Sequence, residues 1–265
     1  MQERLIHPNE KNYFIIALVI SLLIYFLLIS TIIGIFYILL LAFISFCLHG
    51  IWLGRIRSNG VKLTTQQFPS VYSKVELLCQ RMNINTVPDI FVIQSDGMLN
   101  AFATRLLGRN FVVLYSDIFE LIDSESEEEL EFIIAHELAH IQRRHVANHL
   151  LLLPAMWLPF LGKAYSRACE YTCDRLAAYY TGNLEASING LTLLAIGKAL
   201  YKKVNRGEYI LQSRNEKGFF IWFSHILSTH PPLPLRILEL ERLAQYLASY
   251  KDSSKVDTIT VEAQQ

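Results

Sequence analysis

From Tyr13 to Leu48 the chain has no charged residue. A single helix of that length would be about 54 Å long, against a bilayer hydrocarbon core of about 30 Å. One upright span is therefore excluded, and two fit. A small-residue cleavage site is also lacking, which excludes a secretory signal peptide. Net charge is absent too: 24 basic residues balance 24 acidic ones, and the pI is near 7.1. Nucleic acid, which calls for a basic face, is excluded as a partner. Cysteine is scarce. Cys47, Cys79, Cys169 and Cys173 form no zinc-finger spacing, and they read as free thiols of a reducing compartment.

What is present is apolar. The 265 residues are 52% hydrophobic and the mean hydropathy is +0.29, with the excess at the amino terminus. Ser30-Thr31, with Gly34 close behind, predicts a tight turn between spans at about Tyr13–Ile29 and Ile33–Leu53. Tyr13 and Trp52 fall near the expected interfaces. Arg4 and Lys11 precede the pair, and Arg55, Arg57 and Lys62 follow it. Both ends are thus expected in the cytoplasm, at the inner membrane in a bacterial cell. One steeply tilted span would instead put the rest of the chain outside. The expected division is 1–54 for the two transmembrane helices, 55–250 for the main folded domain and 251–265 for a polar tail.

The chemistry centres on His136-Glu137-Leu138-Ala139-His140. The apolar-periodic run Leu130–Val146 around it reads as one helix. Two histidines four apart share a helix face and can meet on one metal ion. Glu137 can reach a water there without ligating, the position of a general base. A bare five-residue pattern also arises by chance, on an exposed helix with two satisfied histidines. Leu130, Ile133, Ile134, Leu138 and Ile141 weigh against that, because a buried helix carries such side chains inward only when something compensates them.

Upstream, Phe68–Met82 reads as a helix. Asp89–Ile93, Asn100–Thr104 and Phe111–Tyr115 read as strands of a small antiparallel sheet packed on the motif helix, with a turn at Asp96-Gly97. Ser124 with Glu127, and Ser126 with Glu129, fit capping boxes. The fold class expected is mainly α with a small antiparallel sheet, α+β, behind an amino-terminal helical hairpin. A hydrolytic zinc site takes a third protein ligand. Glu170 and Asp174, four apart on a helical stretch, offer a ligand and a partner for a ligating histidine. They could equally be surface acids, with Asp174 paired to Arg175 or Arg167.

With these motifs in view, the chain resembles the HtpX-type and CAAX-prenyl-protease-type membrane zinc metallopeptidases, of the gluzincin class. The resemblance rests on His136–His140, on Glu170–Asp174, on Asn100-Ala101-Phe102, and on Thr229-His230-Pro231-Pro232 with Arg236. It covers roughly Phe68–Leu243. It implies that His136, His140 and Glu170 bind one Zn²⁺ per subunit, with Glu137 as base and Asp174 supporting a ligand. The Asn100–Phe102 strand would hold an extended substrate by strand addition. His230 and Arg236 would stabilise the oxyanion or hold substrate; otherwise His230 only opens a helix and Arg236 lies on its surface. The substrates implied are proteins or peptides, membrane proteins among them, handled for quality control at the lipid bilayer. The family often has a second hydrophobic pair between its zinc motifs. In this chain Leu150–Leu161, with Pro154 and Pro159, is too short to span, and reads as a membrane-facing patch or a hairpin over the site.

The remaining readings are plain. His145 and His149, also four apart, could hold a second metal, but no carboxylate lies near them in sequence and an ordinary exposed pair is expected. Asn183–Lys203 reads as a core helix, Tyr201–Glu216 as a mobile loop and Pro234–Tyr250 as a final amphipathic helix. The reading from sequence is a membrane-anchored zinc endopeptidase. The alternative, a non-proteolytic scaffold with structural zinc, would be expected to offer four protein ligands.

Overall fold

The computed structural model describes residues 2–94, 97, 99–123 and 126–262. Two long apolar helices open it, α1 (Pro8–Ile29) and α2 (Ile32–Asn59). The turn between them falls at Ser30-Thr31. Thr31 Oγ1 caps α2 by accepting from the Gly34 amide at 2.9 Å. A Cβ at Gly34 would overlap the Leu28 carbonyl, so a turn this tight requires glycine there. At 22 and 28 residues the helices are about 33 Å and 42 Å long. Most of their apolar side chains are exposed, unlike those of a core helix. By length and composition both can cross a membrane.

The hairpin is not detached from the rest. The inner face of α1 buries Glu10, Ala17 and Ser21. At the end of α2, Leu53 and Ile56 pack on Phe91, Phe111 and Val113 of the sheet.

The sheet contains β1 (Val61–Lys62), β2 (Asp89–Ile93), β3 (Ala101–Leu106) and β4 (Arg109–Tyr115), in the order β1-β2-β4-β3. The helix α3 (Pro69–Arg81) lies between β1 and β2 in sequence. The antiparallel expectation holds for β3 with β4 and for β1 with β2, but β2 and β4 run parallel. The chain leaves β2, lays β3 at the edge, and returns β4 into the gap. The central place goes to β4, whose Phe111, Val112, Val113 and Leu114 are all buried. Gly97 lies in a turn with φ +89°, while Asp96 and Ser124 lie outside the described residues.

The motif helix α4 (Glu127–Gln142) is the centre of the core. Leu130, Phe132, Ile134 and Leu138 are at most 2% exposed, and each contributes about 1.5–3 kcal/mol by burial. The capping box at Ser126 is not made. Its hydroxyl pairs with Tyr201 Oη at 2.6 Å instead, and Tyr201 donates on to Glu129 at 3.2 Å. The predicted single helix to Val146 breaks at Arg144, which adopts left-handed φ of 57°. A separate α5 (His145–Met156) follows. It lies along α1, where Tyr25 Oη donates to the Leu150 carbonyl at 2.8 Å and the Ala155 amide donates to Ser21 Oγ at 3.2 Å.

Then come α6 (Leu161–Thr181), α7 (Leu184–Ile196), α8 (Arg206–Asn215), α9 (Phe219–Leu227) and α10 (Leu233–Glu262). The loop expected over 201–216 is largely helical, because Asn205 caps α8 by accepting from the Glu208 amide. The final helix runs past Tyr250 to Glu262. Against α4, α7 presents Gly190, where a Cβ would lie 2.7 Å from Phe132 Cδ1. Gly190→Ala should therefore cost about 1–3 kcal/mol through overpacking, read as a fall in the unfolding midpoint of the purified chain. An unchanged midpoint would mean that this helix pair is looser than so close an approach implies.

Candidate metal centre

A helix repeat brings His136 and His140 to one face of α4, and α6, lying across α4, brings Glu170 and Asp174 to meet them. His136 Nε2 and His140 Nε2 are 3.3 Å apart. Glu170 Oε1 lies 3.3 Å from His140 Nε2, and Glu170 Oε2 lies 3.5 Å from His136 Nε2. Donors about 2.0–2.1 Å from a common tetrahedral centre lie about 3.3–3.4 Å from one another. The two histidine nitrogens and the two oxygens of one carboxylate are thus close enough together for His136, His140 and Glu170 to hold one cation.

Charge supports the same conclusion. Burial opposes ionisation of Glu170, but the Arg236 guanidinium, then the His136 and His140 hydrogen bonds, hold its carboxyl well below the usual range. Burial likewise opposes charge on His136, yet Asp174 and Glu170 raise it to about 10. Two buried carboxylates facing paired imidazoles make a site that a cation compensates.

The supports are as closely placed. Asp174 Oδ1 is 2.9 Å from His136 Nδ1, near enough for an ion pair although the N–H line is not aligned for a hydrogen bond. Arg236 is not on a surface: it is 5% exposed. Its Nε donates to Asp174 Oδ2 at 2.7 Å and its Nη2 to Asp174 Oδ1 at 2.6 Å. Nη1 lies 3.1 Å from Glu170 Oε2. The guanidinium is thus committed to the two carboxylates. The alternative partners of Asp174 are engaged elsewhere: Arg175 with Glu239 at 2.7 Å, and Arg167 with the Ile226 and Ser228 carbonyls. Arg167 thereby holds the segment that carries His230. That residue is largely exposed, with Nε2 3.6 Å from Glu170 Oε1 and Nδ1 2.9 Å from Thr229 Oγ1. It stands at the mouth of the site.

Glu137 is buried at 8% exposure, and its carboxylate has no hydrogen bond or ion pair among the described residues. Asn100 precedes β3, the terminal strand of the sheet, which lies against α4. The Asn100 carbonyl accepts from the Tyr115 amide at 3.0 Å. Phe102 stacks towards Trp52, with ring centroids 5.2 Å apart. Its ring is used in packing, and the outer backbone edge of β3 is what remains for a ligand.

The expectation of an exposed His145 is corrected by the structure. The residue is buried, with Nδ1 3.2 Å from His140 Nδ1. Glu10, Cys169 and Cys173 surround it, giving two further sets of potential metal ligands. These suit a cation less well. Both sets depend on a buried cysteine. Burial also pushes both thiols upward, away from the thiolate that binds metal. No sequence signal marks this cluster, because the break at Arg144 has neither glycine nor proline.

Comparison with known proteins gives concordant results. Residues 65–159 and 150–244 match Peptidase family M48. The chain is 27% identical to the protease HtpX homolog of Desulforapulum autotrophicum, covering 73% of this chain and 75% of that protein. It is 25% identical to the plastoglobule-localized metallopeptidase 48 of Arabidopsis thaliana, covering 76% and 65%. It is also 25% identical to a protease HtpX homolog of Streptococcus pyogenes, covering 70% and 77%.

Proposed function

The chain belongs to Peptidase family M48, as an HtpX-like metallopeptidase, and from that premise we propose that it is a membrane-anchored zinc endopeptidase facing the cytoplasm. His136, His140 and Glu170 hold one Zn²⁺. The observation that carries this is the spacing of their donor atoms at 3.3–3.5 Å. When bound, Zn²⁺ polarises a scissile carbonyl and lowers the pKa of water. The set that would hold it offers three protein donors, not the four of a structural site.

Glu137 takes the proton from the attacking water and returns it to the leaving amine. Its carboxylate suits this because no partner among the described residues occupies it. Asp174 fixes the ring of His136, and Arg236 keeps Asp174 and Glu170 charged and in register. His230 at the mouth contacts the reacting carbonyl or the substrate chain. An extended peptide adds to the outer edge of β3 at Asn100–Phe102, where backbone hydrogen bonds hold it whatever its side chains.

Orientation follows from the basic residues that flank the hairpin, Arg4 and Lys11 before it and Arg55, Arg57 and Lys62 after it. Lipid contact is supported by the exposed Trp157, Phe219, Phe220 and Trp222 beyond the hairpin itself. A tethered protease meets membrane proteins at high effective concentration, so damaged membrane proteins are the substrates proposed.

The test is casein cleavage by the detergent-purified full chain. Cleavage stopped by a chelator and restored by Zn²⁺ supports the reading; cleavage indifferent to the chelator refutes it. The support of His136 is tested separately. Asp174→Asn should weaken zinc binding about 10–100-fold, measured against a chromophoric chelator. An unchanged affinity would remove Asp174 from the site.

A further inference from the structure

His140 has two ring nitrogens and, as a ligand of the proposed zinc, uses Nε2 for the metal. Its Nδ1 then carries the proton and requires an acceptor. For His136 the corresponding partner is Asp174. For His140 it is another imidazole, Nδ1 of His145 at 3.2 Å.

This contact does not come from helix periodicity. In an unbroken helix, residues five apart lie about 140° around the axis and about 7.5 Å along it. The left-handed turn at Arg144, φ 57°, returns the chain so that His145 faces His140. A non-glycine residue adopts that conformation at a cost, and only where its surroundings impose it. If His145 Nδ1 accepts, its Nε2 must carry a proton and donate. Nε2 lies 3.2 Å from Glu10 Oε1. The same oxygen accepts from Arg143 Nη2 at 2.8 Å and from Arg143 Nε at 3.2 Å. Arg143 thus fixes the carboxylate from the residue just before the turn. Cys173 Sγ, 3.6 Å from His145 Nδ1, is the remaining neighbour of that nitrogen.

We propose that Glu10, at the head of the first apolar helix, is a positioning residue for the metal centre, acting through His145 on His140. The hydrogen bonds run in one direction only: His140 Nδ1–H to His145 Nδ1, then His145 Nε2–H to Glu10 Oε1. Each group has one proton to give or one lone pair to offer, so the chain of contacts closes without an extra proton. The carboxylate stabilises the tautomer of His140 that leaves Nε2 free for a metal. The anchoring helix is therefore part of the metal centre as well as a tether. This inference rests on the assignment of His140 as a metal ligand.

The experiment is a competition titration of zinc affinity on the full-length chain in detergent, with variants at three positions. His140→Ala tests the assignment itself. His145→Asn keeps an acceptor near Nδ1 but severs the link to Glu10. In the parent background Glu10→Gln should weaken zinc binding about 10-fold, at the lower end for such outer partners. In the His145→Asn background Glu10→Gln should change affinity by less than about twofold, because effects acting through one contact do not add. Glu10→Asp keeps the charge and retracts it by one methylene. It should give a smaller loss in the same direction, and it serves where Glu10→Gln does not accumulate. An equal loss in both backgrounds, or none in the parent, overturns the proposal while leaving the metal assignment intact. Zinc affinity indifferent to His140→Ala overturns both.

Discussion

Glu137→Gln should lower casein turnover about 10²- to 10⁴-fold, the range general-base removal produces, with zinc content unchanged. The glutamine has the shape of the glutamate but cannot take a proton from water. No metal-binding atom is lost, because the candidate ligand set is His136, His140 and Glu170. Nor is a described ion pair lost with the charge. The fold should therefore hold, and kcat should fall more than KM changes. Full activity in this variant would assign the base elsewhere. Loss of zinc together with activity would make Glu137 a ligand.

Arg236→Ala should destabilise the chain more than Gly190→Ala, Asp174→Asn or any other substitution proposed for this site. Asp174 and Glu170 are 1% and 5% exposed, and the guanidinium faces both. Burial opposes their charge, and Arg236 is the largest influence holding both carboxyls low. Removing one partner from a buried ionic cluster costs about 3–5 kcal/mol, since the remaining charge is left uncompensated. The loss should be read by chemical unfolding with a chelator present. It should be smaller with Zn²⁺ added, because the cation supplies part of the missing positive charge. A loss below about 1 kcal/mol would mean that water reaches the carboxylates and the cluster is not sealed.

Local spacing made part of the site readable in the sequence. His136 with His140, and Glu170 with Asp174, are each four residues apart, and the 3.6-residue repeat alone puts each pair on one face. The hairpin was readable because 36 uncharged residues exceed one bilayer crossing. Contacts between distant residues were not readable. Arg236 meets Asp174 across 62 positions and His145 meets Glu10 across 135, and no local pattern encodes either. The parallel pairing of β2 with β4 was hidden for the same reason: strand order is a property of the assembled core. The break at Arg144 was missed for a different reason. The apolar periodicity continues through it, and the residue taking the left-handed conformation is an arginine, which gives no turn signal. The helix α8 could have been found, since Asn205 followed by Glu208 is a start signal that the mixed polar composition obscured.

Everything proposed for the site depends on the metal resting on His136, His140 and Glu170 rather than on the cysteine-containing sets beside them. X-ray absorption at the zinc edge, on the zinc-loaded full-length chain, separates the two. A first shell of nitrogen and oxygen alone at about 2.0–2.2 Å is expected, with imidazole scattering from two histidines. A sulfur shell at about 2.3 Å would contradict it, and would move the ion to His145 with Cys169 or Cys173.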